Sequence, residues 1–372
     1  MLKQINTTKP REYDELMTFL EKSYNHPKGL FQSHYPHVWR RETIQFNNRY
    51  IIKDKEKIIS HMGIYPMNLI ADKDTIKVGG IGGVATDSEY RSRGFMGHLM
   101  ERVIKDMKNN KFPISILWGD RQRYGYFGYE LAGQEIRFSI TKRSLGELPD
   151  YTRVNIIKLS SNTHTEFIKK IIELHEKEPL IVKRSKEEYL LLLTKSNINV
   201  WLGNEKDNWA YIIISENEII ESAGEPKIIL SILSYMFNNF ANKITVYLPF
   251  YSIKLMNTFY KVAENWSINP FLNLKILNLK KTLIAFSHQI EQKWKLLGDN
   301  KRLDVTFEMR DTSQKVTLHL GKEIEISEKS ANEKFVLSEK DMVSFLFGSW
   351  NKNIKGLPIF PLNFYIWRLD YI

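Results

Sequence analysis

The apolar positions of the chain change period several times, and each change predicts an element. Leu16, Met17, Leu20 and Tyr24 recur at helical spacing after Thr7-Thr8-Lys9-Pro10, which predicts a capped first helix. Residues 49–53, 57–70 and 75–86 are rich in Ile, Val and Tyr and are parted by Asp/Lys turns, the pattern of a three-strand antiparallel meander. From Gly94 to Lys108 the spacing returns to three and four through Phe95, Met96, Leu99, Met100, Val103, Ile104 and Met107, one face of a helix. Pro113 then opens Ile114-Ser115-Ile116-Leu117-Trp118, a run too short for a helix and closed by Gly119-Asp120, so it reads as a buried strand. A helix between two such strands predicts a parallel crossover.

Beyond residue 150 the same alternation returns more weakly. It predicts a helix near 164–176, strands near 198–203 and 208–214, a helix at 226–240, a strand at 243–249, a helix at 252–263 and a strand at 271–279. Its strand-to-helix junction, Glu221-Ser222-Ala223-Gly224-Glu225-Pro226, puts two carboxylates where a phosphate would need donors. The last part predicts a strand at 281–286, then a helix around Ile290, Trp294 and Leu297. Three alternating segments near 302–309, 314–320 and 322–327, a helix at 338–347 and an apolar tail complete it. The expected fold class is therefore α/β joined to an α+β layer, in three parts at 1–148, 149–280 and 281–372, with no low-complexity linker between them.

Composition narrows the function classes. At 372 residues the chain is too long for one small core, and 42% hydrophobic with 26% charged residues is a globular balance. No run approaches the roughly 20 uninterrupted apolar residues of a membrane span, and the N-terminus lacks the apolar region of a secretory signal, so a cytoplasmic protein without a membrane partner is expected. The absence of cysteine excludes disulfides, thiolate nucleophiles and cysteine-ligated zinc. The histidines show no ligand spacing, His34 and His37 being the close pair, so no metal is expected. A net charge of +11 invites a nucleic-acid reading, but the basic residues are interspersed with acidic ones, as in Lys53-Asp54-Lys55-Glu56-Lys57, and no recognition helix or RNA-binding signature occurs. The surplus reads as solubility plus attraction for a polyanionic cofactor, with no nucleic-acid partner.

Candidate chemistry concentrates between Val78 and Tyr129. Gly82-Gly83-Val84-Ala85-Thr86-Asp87-Ser88-Glu89-Tyr90-Arg91-Ser92-Arg93-Gly94-Phe95-Met96-Gly97 places a strand, a basic turn and a helix start in succession. Unpaired N–H groups at a helix N-terminus, on the positive end of its dipole, make an anion site. Gly94 lets the main chain approach a pyrophosphate, and Arg91 and Arg93 add charge. The edge of Gly83–Thr86 offers hydrogen bonds to an extended, amide-bearing arm. A plain glycine-bearing turn with solvated arginines is the alternative. This stretch resembles the GNAT acetyltransferase superfamily, whose pyrophosphate loop reads Arg/Gln-x-x-Gly-x-Gly/Ala; here Arg91-x-x-Gly94-x-Met96 departs at the last position, with Gly97 one step later. The resemblance implies an acetyl-CoA site formed by Val84, Ala85, Thr86, Arg91, Ser92, Arg93, Gly94, Phe95, Met96 and Gly97, extended to Gly119 and Asp120.

Gly119-Asp120-Arg121-Gln122-Arg123-Tyr124-Gly125-Tyr126-Phe127-Gly128-Tyr129 is similar to the Tyr-x-x-x-Gly-Phe/Tyr signature after the fifth strand of that superfamily. The match implies Tyr124 as general acid: a phenol of pKa about 10 stays protonated at neutral pH and can protonate a departing thiolate. Tyr126 and Tyr129 are competitors, and an aromatic core cluster is the plainer alternative. His34-Tyr35-Pro36-His37 reads as a loop that could line an amine pocket, while His61 and His98 carry less weight.

The order of elements across the chain resembles the enhanced intracellular survival (Eis) family, with a second, degenerate GNAT-like part and a sterol-carrier-protein-like last part. That resemblance implies a terminal carboxylate as base, here that of Ile372, although the family terminus is often aromatic. The tail Pro361 to Ile372 is apolar enough to bury itself, either to aim the carboxylate or merely as core. The expected function is N-acetyl transfer from acetyl-CoA to an unidentified primary amine by direct attack, in a candidate homo-oligomer. A non-catalytic CoA-binding or ligand-binding sensor or scaffold on the same fold is the rival, and nucleic-acid binding a third class.

Overall fold

Alternate residues of the first strands bury themselves in two different cores, and this fixes where the first sheet lies. Ile52, Ile59 and Ile64 join one apolar cluster, whereas their neighbours Ile51, Ile58 and Tyr65 join another, as the two-residue period of a strand requires. The computed structural model describes residues 3–146, 150–160, 165–298, 302–348 and 357–372.

The chain begins with β1 (Ile5–Thr7), α1 (Tyr13–Tyr24), α2 (Leu30–His34) and α3 (Pro36–Trp39). The meander follows as β2 (Arg49–Asp54), β3 (Lys57–Ala71) and β4 (Asp74–Thr86), within a residue or two of its expected bounds. Lys55 and Asp72, both in the left-handed region, open its two-residue turns. Then come α4 (Phe95–Asn109), β5 (Ile114–Leu117), α5 (Arg121–Gly125) and β6 (Glu130–Ala132). The middle of the chain gives β7 (Glu135–Thr141), α6 (Lys142–Leu145), β8 (Asn155–Lys158), α7 (Thr165–His175), β9 (Leu180–Val182) and α8 (Lys186–Leu193). It continues through β10 (Asn199–Glu205), β11 (Asn208–Ser215), β12 (Glu218–Gly224), α9 (Pro226–Asn239), β13 (Lys243–Pro249), α10 (Ile253–Val262) and β14 (Asn265–Asn269). The remainder is β15 (Leu272–Ile276), α11 (Leu279–Ala285), α12 (Ser287–Lys295), β16 (Leu303–Met309), β17 (Gln314–Leu320), β18 (Ile324–Ser327), β19 (Glu333–Leu337) and α13 (Glu339–Phe347), with a single helical turn at Arg368–Asp370.

Two compact units result. The first comprises residues 1–133, 271–364 and Ile372; the second comprises 134–270 and 365–371. In the first unit one sheet runs β1-β2-β3-β4-β5-β15-β6, antiparallel except for the β4–β5 pair, and a four-stranded sheet runs β18-β17-β16-β19. The second unit has a sheet β14-β7-β13-β12-β11-β10-β8, in which β12 and β13 are parallel. The fold is thus mixed α/β, with mixed sheets flanked by helices. On the first sheet, Leu99, Met100, Val103 and Met107 of α4 cover one face, and Leu16, Met17 and Leu20 of α1 cover the other. Each such fully buried side chain contributes about 1.5–3 kcal/mol.

Several expectations are corrected. Residues 279–285 are helical, not a strand at 281–286: Leu279, Thr282, Leu283 and Phe286 form one buried helical face, and the Asn278 side chain caps the first turn. The strand expected at 271–279 is five residues long and pairs with β5 and β6. The first helix starts at Tyr13 after a single tight turn at Pro10–Glu12 and has no side-chain cap; Thr8 instead donates to the Phe46 carbonyl. The division expected at 148/149 and the helix start expected at 164 lie outside the described residues. Among the described residues no helix is long and apolar enough to cross a membrane.

Candidate functional site

Strand β4 loses one of its two partners partway along. It pairs in parallel with β5 from Val78↔Ile114 to Ile81↔Leu117, and there the pairing ends, while β4 runs on to Thr86 against β3. Against β3 the register slips between Gly63↔Gly82 and His61↔Ala85, so Gly83 and Val84 together oppose Met62. Two residues facing one is a β-bulge, a device that re-aims the backbone. Gly83 has φ +59°, and a Cβ there would meet His61 Cε1 and Trp39 Cη2 at 2.9 Å, so glycine is required on both counts. Past Ile81 the β5 side of β4 carries main-chain groups that no described strand pairs.

The helix that follows starts with two left-handed residues, Ser92 (φ +61°) and Gly94 (φ +80°). No side chain caps α4, and its first bond runs from His98 N–H to the Gly94 carbonyl, which leaves the N–H groups of Phe95, Met96 and Gly97 without helical partners. Val84–Thr86, Tyr90–Ser92, Gly94–Gly97, Ser23, Tyr24 and Arg123 line one cavity of about 620 Å³. The structure therefore brings strand edge, basic turn and helix start into a single space. Arg91 donates to the Thr86 carbonyl at 3.4 Å, whereas Arg93 turns back to the Glu89 carbonyl at 2.9 Å and stacks near Tyr90. Arg93, Gly119, Asp120, Tyr124 and Ile372 are not among the residues that line the cavity. Asp120 caps α5 by accepting from Arg123 N–H, and the Gly119 carbonyl accepts from Asn273. Met96, where the superfamily loop has a small residue, is half-buried beside the core.

The three tyrosines separate by environment. Tyr126 is 89% exposed, and Tyr129 is fully buried with its hydroxyl 2.7 Å from Ser115 Oγ. Tyr124 is 6% exposed on α5, its ring over Gly119 and edge-on to Tyr129 at 6.5 Å, and burial pushes its phenol above the ordinary value. Tyr24, whose spacing marked it only as part of the first helix's apolar face, lines the cavity and donates to the Val84 carbonyl at 3.1 Å; burial, with a smaller contribution from nearby Tyr124, pushes it up to about 12. His61, given little weight from the sequence, meets the Gly83 carbonyl from 22 positions away, at 2.6 Å. The expected loop at 34–37 is instead the end of α2 and the start of α3, and it delivers Trp39 beside His61, ring centroids 5.9 Å apart.

The side chain of Ile372 rests against the glycine stretch of β4: a Cβ on Gly82 would lie 3.6 Å from Ile372 Cγ1, and Tyr65 shares that contact. In the second unit, His175, Glu221 and Asp370 bring three candidate ligand atoms within 4.8 Å of one another. The Arg184 guanidinium already spans both carboxylates at 2.5 to 3.1 Å, so the positive charge there is the protein's own.

Residues 4–132 match the family model described as an acetyltransferase (GNAT) domain. Among curated proteins, no significant match is found. Solved structures share the whole-chain fold at low identity. A probable N-acyltransferase from Enterococcus faecalis V583 superposes with TM-score 0.70 and 16% identity, covering 93% of this chain and 89% of that one. A GCN5-related N-acetyltransferase from Kribbella flavida gives 0.70 and 14%, covering 99% and 98%. Eis1 from Mycobacterium abscessus gives 0.63 and 11%, covering 90% and 87%.

Proposed function

We propose that the chain transfers an acetyl group from acetyl-CoA to a primary amine. The observation that carries this reading is the bulge at left-handed Gly83, whose second residue, Val84, lines the same cavity as the unspent N–H groups of α4. An extended pantetheine arm fits the unpaired edge of β4 as a further strand would, and a diphosphate fits the α4 N-terminus beside Arg91. Arg93, Gly119 and Asp120 act at the margin of that site, through turn and helix geometry. Main-chain N–H groups at the bulge polarise the thioester carbonyl. The amine nitrogen attacks the carbonyl carbon, an N–C bond replaces the C–S bond, and no enzyme-bound intermediate forms.

Tyr124 gives its proton to the leaving sulfur; a phenol is protonated at neutral pH, and the nearness of Tyr124 to Tyr24 of the cavity wall supports the assignment. The amine's proton passes to the Ile372 carboxylate, directly or through water. This part rests on Ile372 lying against Gly80 and Gly82, two strand positions before the bulge. The likeness to Eis1 supports assigning the chain to that type, with residues 1–148 as the GNAT part and 149–280 as a degenerate second. The four-stranded sheet with α11, α12 and α13 supports a sterol-carrier-like part at 281–372.

Calorimetric titration with acetyl-CoA, followed by CoA release across a panel of amines, tests the reading. Tyr124→Phe is expected to lower kcat by about 10²-fold or more at unchanged acetyl-CoA affinity. A chain that binds acetyl-CoA but releases no CoA with any amine is the non-catalytic sensor or scaffold instead. Removing Tyr371 and Ile372, or appending residues after Ile372, should lower turnover far more than affinity; unchanged turnover would acquit the carboxylate.

A further inference from the structure

His61 stands on β3, fully buried, with Nδ1 2.6 Å from the Gly83 carbonyl oxygen. A carbonyl oxygen only accepts, so Nδ1 carries the proton, and Nε2 of the neutral ring is bare; Nε2 has no hydrogen-bond partner among the described residues. Burial drives the imidazole pKa down to about 3 against the opposing pull of the Gly83 bond, with Arg49 adding to the fall. The ring is thus a fixed neutral donor at any working pH.

What it fixes is the peptide between Gly83 and Val84. That unit is planar and trans, so its C=O and N–H point in opposite directions. With the oxygen tied to His61, the Val84 N–H is turned away from His61. The next carbonyl, that of Val84, points the same way as this N–H, because successive strand carbonyls alternate; Tyr24 of the cavity wall donates to it at 3.1 Å. Both polar groups of Val84 therefore face the cavity, and His61 sets the angle of the first. Gly83 cannot hold this angle by itself, since a left-handed glycine is the residue with the widest freedom to leave it.

The geometry points to His61 as a positioning residue for acyl transfer: it latches the Gly83–Val84 peptide so that the Val84 N–H meets the thioester oxygen. This rests on the acetyltransferase reading above. The contribution is to the transition state, because a main-chain donor aimed at a developing oxyanion stabilises it more than the ground-state carbonyl.

The test compares the wild type with His61→Asn, His61→Gln and His61→Leu in acetyl-CoA calorimetry and steady-state kinetics with one amine. An Asn amide nitrogen falls near the place of Nδ1 and can donate to Gly83, whereas a Gln amide reaches past it and Leu has no donor. The Leu and Gln variants are expected to lose about 30-fold or more in kcat, while acetyl-CoA Kd changes less than about threefold, and Asn restores kcat to within about fivefold of wild type. If Leu does not fold, the Asn and Gln pair carries the comparison alone. Equal kcat for Asn and Gln, or a loss seen only in Kd, would overturn the latch while the acetyltransferase reading stands. A wild type that binds acetyl-CoA without turning over any amine overturns that reading and the latch together.

Discussion

Each of the two units contains a parallel strand pair with a helix between its strands, and in each the leading strand outruns its partner. In the first unit β4 leaves β5 after four paired residues and continues to Thr86; in the second β12 leaves β13 after Ile219↔Val246 and continues to Gly224. The continuations could hardly differ more. On β4 it holds Gly82, Gly83 and Val84, a cavity, and a helix start with unspent N–H groups. On β12 it holds Glu221, locked to Arg184 and to the Tyr211 hydroxyl, and the turn Arg368–Asp370 packs against the strand with Asp370 on the same guanidinium. One gap opens on a cavity and the other is filled by the chain's own charges. Topology alone therefore assigns no chemistry; the occupant of the gap does.

The largest expected effect comes from emptying the filled gap of its cation. Arg184→Met leaves Glu221 and Asp370 buried without the guanidinium that bridges them, and unfolding of the full chain should lose about 3–5 kcal/mol in a denaturant titration. Adding Glu221→Gln and Asp370→Asn should recover most of it, since the loss comes from unpaired charge and not from missing attraction. Arg184→Lys should rescue poorly, because one ammonium cannot serve two carboxylates in paired fashion. A loss below about 1 kcal/mol would mean that packing, and not charge, closes that gap.

The same contrast explains what the sequence could reveal. β2 to β4, α4 and β5 announce themselves by period, and Arg91 to Gly94 by local spacing, because their physics is confined to neighbouring residues. β12 hides its strand character: Glu221 and Ser222 are buried on it, and a polar residue in a core strand looks like a loop until Arg184, 37 positions upstream, is seen to neutralise it. β15 was legible as a strand but not as a partner of β5, since pairing across more than 150 residues leaves no local mark. The α4 wall of the cavity could be read, whereas the part played by His61, Tyr24 and Trp39 could not, because each meets the Gly83–Val84 bulge from a distant stretch of chain.

A smaller effect compares one buried histidine from each unit. Burial pushes both His61 and His175 down to about 3, while an unfolded histidine titrates near 6.5. Below 6.5 the unfolded chain takes up protons that the native chain refuses until about pH 3. Stability is therefore fully present above 6.5 and is lost as pH falls through that window. At pH 5.5 each histidine should cost about 1.4 kcal/mol relative to pH 7.5. Urea titrations at the two pH values should show the difference shrink by that amount in His61→Asn and again in His175→Asn. Unequal shrinkage would identify the unit whose histidine takes up a proton more easily.

The smallest effect separates the two helix starts. α4 begins with left-handed Ser92 and Gly94 and free N–H groups, and Arg91 lies at its mouth. α9 begins with Glu225 and Pro226, the one an anion and the other without an N–H. Arg91 is exposed, so its attraction for a diphosphate is worth little beyond the backbone amides and is screened by salt. Arg91→Ala should weaken acetyl-CoA binding only about threefold at low ionic strength, and the difference should fade near 0.5 M salt, where the Debye length falls to about 4 Å. Glu225→Gln should leave affinity untouched at any salt. A loss of more than about tenfold with Arg91→Ala, persisting at high salt, would mean that the guanidinium grips the phosphate in a dry, paired contact and that the N–H groups of α4 are secondary.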